Sequence, residues 1–436
     1  MELFAISMDL ANPSTILLGI SLVILLGKLA EYLFRRFSIP DALLLISLGF
    51  LIGPFGLSLV TNLDPFFTSV FTSFALLFLL FDGSLEISLD TIVKGFTSGV
   101  LMTFVNYIIS VGLITGVLFL FRIPFDLALL AGFMLGGISS SFVIPLLKQI
   151  SINPNTYSEL TFESALTDVL CIVFSLSMIN IMKLNTFSTR QTAINLMSSV
   201  AVAFFIGILF ALLWIFLETH VFKENKEYML TVAVLILTAV VTEFFGGNAA
   251  LSALFFGLTL RNSKGLTNFF VGVTTKVKVE KKKAINGELG VNAMKPSQHL
   301  FYNEISFFVK TIFFIYIGII IDFSDTRNMI IGGVAVFVLM FGRMFSHFLT
   351  KKQRSFDRKI IASIFGRGLA AAALVQVAIQ QGIENMHMIA GIVHIVITGS
   401  ILISSVRVFW VIMAEKRRLA LVASEAPVRK QSRTKK

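Results

Sequence analysis

The chain has little charge. Of its 436 residues only 14% are Asp, Glu, Lys or Arg, while 56% are hydrophobic. Soluble domains carry about 25% charged residues, so a single water-soluble core is excluded. Cysteine is nearly absent: Cys171 stands alone, which excludes an intrachain disulfide and a cysteine-cluster metal site. With 9 prolines against 45 phenylalanines, the chain is neither disordered nor collagen-like. Two tryptophans are too few to mark an aromatic belt. No phosphate-binding loop or zinc motif is present, and no cofactor is expected. A cleavable leader is not expected either: MELFAISMDLANPS is acidic, and the apolar run after it is a full span. The net charge of +11 could suggest nucleic acid, but basic loops on the cytoplasmic face of a membrane account for it better.

What the chain has is long apolar runs, which predict an all-α integral membrane protein. A bilayer core takes about 20 apolar residues per helix. Such runs fall at about 14–34, 40–58, 66–82, 94–121, 126–149, 156–183 and 190–217, then at about 227–245, 247–261, 301–321, 328–349, 358–382 and 387–413. They are continuous rather than alternating, so a β-barrel is excluded. The count is thirteen, with 247–261 the shortest. Lysines 264, 276, 278, 281, 282, 283 and 295, the basic stretch at 351–359 and the basic tail then share one side with Arg35 and Arg36. The positive-inside rule puts that side in the cytoplasm, with the N-terminus outside and the C-terminus inside. The stretch GSLEISLD disagrees in sign, but acidic residues weigh little in this rule. Residues 1–425 are read as the membrane domain and 426–436 as a disordered basic tail with an affinity for anionic lipid.

Thirteen spans divide into six (about 14–183), a linker helix (about 190–217) and six (about 227–413). An odd linker inverts the second unit relative to the first. The fifth helix of each unit is poor as a continuous helix. AGFMLGGISSSFVIPLL holds Gly136, Gly137, Ser139, Ser140, Ser141 and Pro145; IIASIFGRGLAAAALVQ holds Gly366 and Gly368 around Arg367. Glycine costs about 1 kcal/mol in a helix interior and proline about 3. Small residues alone would also suit close helix packing. Their matching positions in two inverted repeats point instead to broken, crossing helices 5 and 12 around a transport site.

Ionisable groups inside a membrane need a partner, water or a task. Helix 6 reads TFESALTDVLCIVFSLSMI. Its Glu163 and Asp168 are five positions apart, roughly 140° around the helix, so they are not a paired-carboxylate face. Ser164 lies four before Asp168 and shares its face. Asp168 with Ser164 offers hard oxygens for a small cation. Glu163 needs a cation partner, and Arg367 on the broken helix is the expected one. Lys310 is expected to snorkel or to join a structural pair, with a proton-carrying partnership with Asp168 as the alternative. Glu243, which ends the eighth helix, is read as a supporting polar contact, and Asp82 and Glu86 as a helix end or gate.

Six stretches in register, spanning about residues 40–410, resemble the monovalent cation:proton antiporter superfamily, in its sodium/proton exchanger branch. They are LLLISLGFLIGPFGLS, LLFLLFDGSLEISLD, FESALTDVLCIV, TEFFGGNAALSALFFGLTLRN, KTIFFIYIGIIIDF and GRGLAAAALVQ. The resemblance implies that Asp168 is the ion- and proton-binding aspartate, Ser164 a cation ligand, and Glu163 with Arg367 the Glu–Arg pair of electroneutral members. It also implies a homodimer, with a mobile core bundle moving against a dimerisation bundle. Two positions depart from the pattern. Thr167 stands where Asn or Asp is usual, and is counted with the cation- and proton-binding residues. SSSFVIP replaces the common Thr-Asp-Pro and is similar to the Kef-type potassium transporters, so Ser139, Ser140 and Ser141 are left to supply hydroxyl or carbonyl oxygens.

The function expected is exchange of Na⁺, with Li⁺ or K⁺ as alternatives, for protons at the cell membrane, in the service of pH homeostasis. One carboxylate carries either one proton or one monovalent cation, so exchange is expected to be electroneutral. A Kef-like potassium/proton antiporter and a passive cation channel are the rival readings. An intramembrane aspartyl protease lacks both its Gly-x-Gly-Asp pattern and a second aspartate beside Asp168.

Overall fold

A computed structural model describes residues 13–37, 41–53, 65–85, 99–147, 150–184, 189–222, 228–263, 296–321, 324–346, 350 and 353–433. Glu86 and most of the basic 262–300 connection lie outside the described residues. All regular structure among the described residues is helical. The helices are α1 (Pro13–Phe37), α2 (Asp41–Ile52), α3 (Pro65–Leu85), α4 (Gly99–Leu120), α5 (Phe125–Met134), α6 (Ser140–Leu147), α7 (Pro154–Leu184) and α8 (Thr189–His220). There follow α9 (Tyr228–Phe244), α10 (Ala249–Arg261), α11 (Pro296–Ile320), α12 (Thr326–Met344), α13 (Ser355–Ser363), α14 (Leu369–Gln380) and α15 (Met386–Arg433). Each apolar run of the sequence overlies a helix, and the fifth and twelfth runs are each split in two. The helix α15 continues to Arg433, where the sequence suggested a disordered tail from 426.

Six of the described helices are long and apolar enough to cross a membrane, among them those spanning Val100–Leu120, Met197–Glu218 and Met386–Arg418. Their outer faces are as apolar as the core. Phe205, Leu209, Phe216, Phe341 and Trp410 face outward, while Glu163 and Arg343 on these helices, and Arg367 outside them, are buried. Outward apolar side chains suit lipid, and buried charges require partners.

Without water in the hydrocarbon, packing rests on close approach of backbones. α2 packs against α11, and α10 against α3 and α8. At the first contact a Cβ on Gly49 would sit 2.0 Å from the carbonyl oxygen of Ile315, and one on Gly318 would sit 2.1 Å from that of Ile46. At the second, a Cβ on Gly257 would sit 2.0 Å from Ser84 Oγ. A smaller apolar cluster centred on Phe78, Phe81, Trp214 and Phe256 joins α3, α8, α9 and α10. A second bundle packs α4 with α5, α7 and α12, and α15 with α12, α13 and α14. Both broken helices belong to this second bundle, and α14 leans on α3 of the first.

Candidate ion-binding site

The two breaks cross in direct contact. Residues 135–139 separate α5 from α6, and 364–368 separate α13 from α14. Backbone groups freed by unwinding must be satisfied internally at membrane depth, and here they find specific partners. Ser139 N–H donates to the carbonyl of Gly366 at 2.9 Å, tying one break to the other. Ile138 N–H donates to Thr167 Oγ1 at 3.1 Å and Gly137 N–H to Cys171 Sγ at 3.1 Å. In the other break Phe365 N–H donates to Ser404 Oγ and Arg367 N–H to Ser400 Oγ, at 3.3 and 2.9 Å. Only glycine fits at Gly368, where a Cβ would lie 2.0 Å from Ser139 Oγ.

The half-helix ends carry partial charges, and charged side chains meet them. The Arg367 guanidinium donates to the carbonyl of Gly136 at 2.8 Å and to Ser110 Oγ at 2.9 Å, placing a cation just past the C-terminal end of α5. Asp168 sits at the N-terminus of α6. Its Oδ2 accepts from Ser140 Oγ at 2.6 Å and from Ser140 N–H at 3.2 Å. Its Oδ1 has no hydrogen bond among the described residues, and the side chain lines a cavity of about 590 Å³. The walls come from both bundles: Ser139, Ser140 and Ser141 on one side, and Leu76, Asp82 and Lys310 on the other. One carboxylate oxygen is thus fixed by Ser140.

The residues expected from the sequence divide accordingly. Asp168 and the three serines meet at the cavity. Thr167 does not line it; its hydroxyl holds the unwound backbone at Ile138. Ser164 does not line it either. The hydroxyl turns back into its own helix and donates to the carbonyl of Thr161 at 2.9 Å, which spends its hydrogen on the preceding turn. Glu243 is exposed at the end of α9, where the chain turns at Gly246 with φ 72°, and does not line the cavity. Lys310 lines the cavity and pairs with Asp82, Nζ to Oδ2 3.5 Å.

The expected pairing of Glu163 with Arg367 is corrected. Arg343 on α12 holds Glu163 in a bidentate pair, with Nη1 on Oε1 and Nη2 on Oε2, the latter at 2.8 Å. Asn106 Nδ2 adds a third donor at 2.8 Å. The guanidinium of Arg367 is occupied by Gly136 and Ser110 instead. Arg343 and Asn106 are the residues missed. Their signal was present: an arginine and an asparagine inside otherwise apolar spans, at 328–349 and 94–121.

An all-helical membrane protein with two broken helices crossing beside a cavity-facing carboxylate has the build of a secondary transporter. The profile of the transmembrane sodium/hydrogen exchanger family matches residues 21–414. The chain belongs to this family. It is 23% identical over 379 residues to "Na(+)/H(+) antiporter 1" of Methanocaldococcus jannaschii, covering 84% of this chain and 83% of that one. Its fold is that of the sodium proton antiporter MjNhaP1 of the same organism. The structure of that antiporter at pH 8 aligns with a TM-score of 0.68 at 18% identity, over 89% of this chain and 94% of the other. An electron-microscopy structure aligns with a TM-score of 0.64 at 15% identity, over 95% and 98%. The protein is therefore an antiporter of the sodium/proton exchanger type and not an enzyme. The Kef-like potassium reading gains no support from these relatives.

Proposed function

We propose that the chain exchanges one monovalent cation, Na⁺ foremost, for one proton by alternating access at Asp168. The observation that carries this reading is the half-anchored carboxylate. Oδ2 is held by Ser140, and the side chain faces a cavity walled by two different bundles. A proton and a cation cannot occupy Oδ1 together, so each must leave before the other binds. With Asp168 the one carboxylate bonded to the crossing of the breaks, and no acidic residue in the break of helix 5, the exchange is electroneutral. The hydroxyls of Ser139 and Ser141, on the same wall, are the nearest candidates for completing an oxygen shell.

Thirteen spans in two inverted repeats remain the reading of the fold, and the packing supports it. A two-fold operation exchanging helices 2 and 9, and 3 and 10, turns the α2–α11 contact into the α10–α3 contact. Both contacts are built on glycines too close for any side chain. Cargo then passes when the bundle carrying Asp168 shifts against the bundle carrying Asp82 and Lys310, which is also the natural dimerisation unit. Lys28 and Glu31 in the C-terminal half of α1, Asp82 and Gly83 in the last turn of α3, Asp41 at the start of α2, and Leu300, Asn303 and Glu304 in the N-terminal part of α11 edge the cavity. They adjoin the basic stretches at Arg35, Arg36 and 264–295, so the cavity opens toward the cytoplasm in this conformation.

Proteoliposomes with an acidic lumen and a pH dye test the proposal. External Na⁺ should drive proton efflux, unaffected when valinomycin clamps the potential, and Asp168→Asn should abolish it. Cation flux without proton movement would make the protein a channel, and full activity in Asp168→Asn would remove Asp168 from the site.

A further inference from the structure

Lys310 takes no part in the exchange just described, yet it lies on the wall of the cavity that Asp168 faces. It belongs to α11, and its ammonium reaches Asp82 on α3, within the bundle that opposes Asp168. The pair is loose: the Nζ–Oδ2 distance is 3.5 Å, against about 2.7–2.9 Å for a strong charge-assisted bond. The Lys310 side chain is 30% exposed and that of Asp82 13%, so the ammonium is not locked by packing. The other ammonium on this wall is engaged elsewhere. Lys28 bridges Glu31 and Glu304 at 3.4 and 3.2 Å and rests over the Phe307 ring. Lys310 shares the cavity with Asp168 and with Asp41.

A lysine ammonium is a monovalent cation on a flexible four-carbon stem. Beside a carboxylate whose task is to bind a monovalent cation, it is a tethered competitor. Any time it spends on Asp168 denies that oxygen to both cargo ions. We infer that Asp82 is an affinity-determining residue of the exchange: by holding Lys310 on the far wall, it keeps the ammonium off Asp168 and leaves the carboxylate open to cations from solution. Asp82 touches neither the cation nor the proton; it acts through Lys310. The inference rests on Asp168 being the exchange site.

Charge removal in pairs tests it, with the full chain in proteoliposomes and Na⁺ as the probe. Asp82→Asn frees Lys310 and should raise the KM for Na⁺ about tenfold, the order expected when a unit charge competes for the carboxylate in a partly hydrated cavity. Lys310→Met should bind Na⁺ at least as tightly as wild type. The double variant Asp82→Asn/Lys310→Met should return KM to within about twofold of wild type, because the competitor is gone. Asp82→Glu keeps the tether and should stay near wild type. A purely structural role would lower kcat or yield and would not be cured by removing a second charge. An unchanged KM in Asp82→Asn, or a double variant as weak as the single one, overturns the inference. The reading beneath it fails separately: wild type and Asp168→Asn would then give the same proton signal, whatever stands at position 82.

Discussion

Glu163 is 1% exposed and its partner Arg343 side chain 4%. Such a pair gains little over well-packed apolar residues, but breaking it strands a charge and costs about 3–5 kcal/mol. Arg343→Ala is therefore expected to lower the melting temperature in detergent sharply. Glu163→Gln with Arg343→Met together should cost less than Arg343→Ala alone, since neither charge remains to be satisfied. A double variant less stable than the single one would show that the pair does more than neutralise itself. Arg367→Lys makes a different point. The guanidinium spans Gly136 and Ser110 with two nitrogens, and an ammonium cannot reproduce that planar fork. Exchange should fall in this variant while the fold persists. Wild-type turnover would mean that charge alone, not geometry, steadies the crossing.

At the scale of the helix, the glycines divide into two groups that sequence alone cannot separate. Gly49 and Gly318 stand where α2 and α11 touch backbone to backbone, whereas Gly112, Gly116 and Gly333 have nothing within 4 Å of a built Cβ. Gly318→Ala should destabilise by at least the about 1–3 kcal/mol of an overpacked core, because the obstacle is a main-chain carbonyl. Gly333→Ala should be neutral or gain up to about 1 kcal/mol in helix propensity. Thermal melts in one detergent compare them directly, and equal losses would refute the close crossing. The same contrast explains what could be read in advance. Apolar runs fix helices through local hydropathy, and a cluster such as Gly136, Gly137 and Pro145 marks a break because its cost is local too. Pairing is not local. Arg343 and Arg367 were both available to Glu163, and the choice depends on how α12 and the second break approach α7. Ser164 shares a face with Asp168 by helical spacing, yet its hydroxyl is taken by the carbonyl of Thr161, a competition invisible in residue order. Thr167 was marked as a departure from the family pattern and counted among the cation- and proton-binding residues. Its role appears only once the unwound Ile138 is found beside it.

At the scale of the whole molecule, the cavity has a sidedness that chemistry can report. Cys171 is the only cysteine of the chain and is buried, so Cys171→Ser gives a background free of thiols. Leu79 and Ala370 line the cavity from opposite bundles, and a cysteine placed at either has a thiolate within reach of a water-borne reagent. In inside-out vesicles a membrane-impermeant maleimide should label both positions. In right-side-out vesicles labelling should be slow, and confined to molecules that have turned the cavity outward. Met197→Cys, on the outward apolar face of α8, should resist from either side because lipid covers it. Equal labelling of Leu79→Cys from both faces would describe a continuous aqueous pore, and with it a channel. Labelling from the outer face alone would invert the orientation drawn from the lysines and arginines. An antiporter needs the remaining pattern: one side at a time, and both bundles at once, since the carboxylate on one wall is useful only if the other wall can move past it.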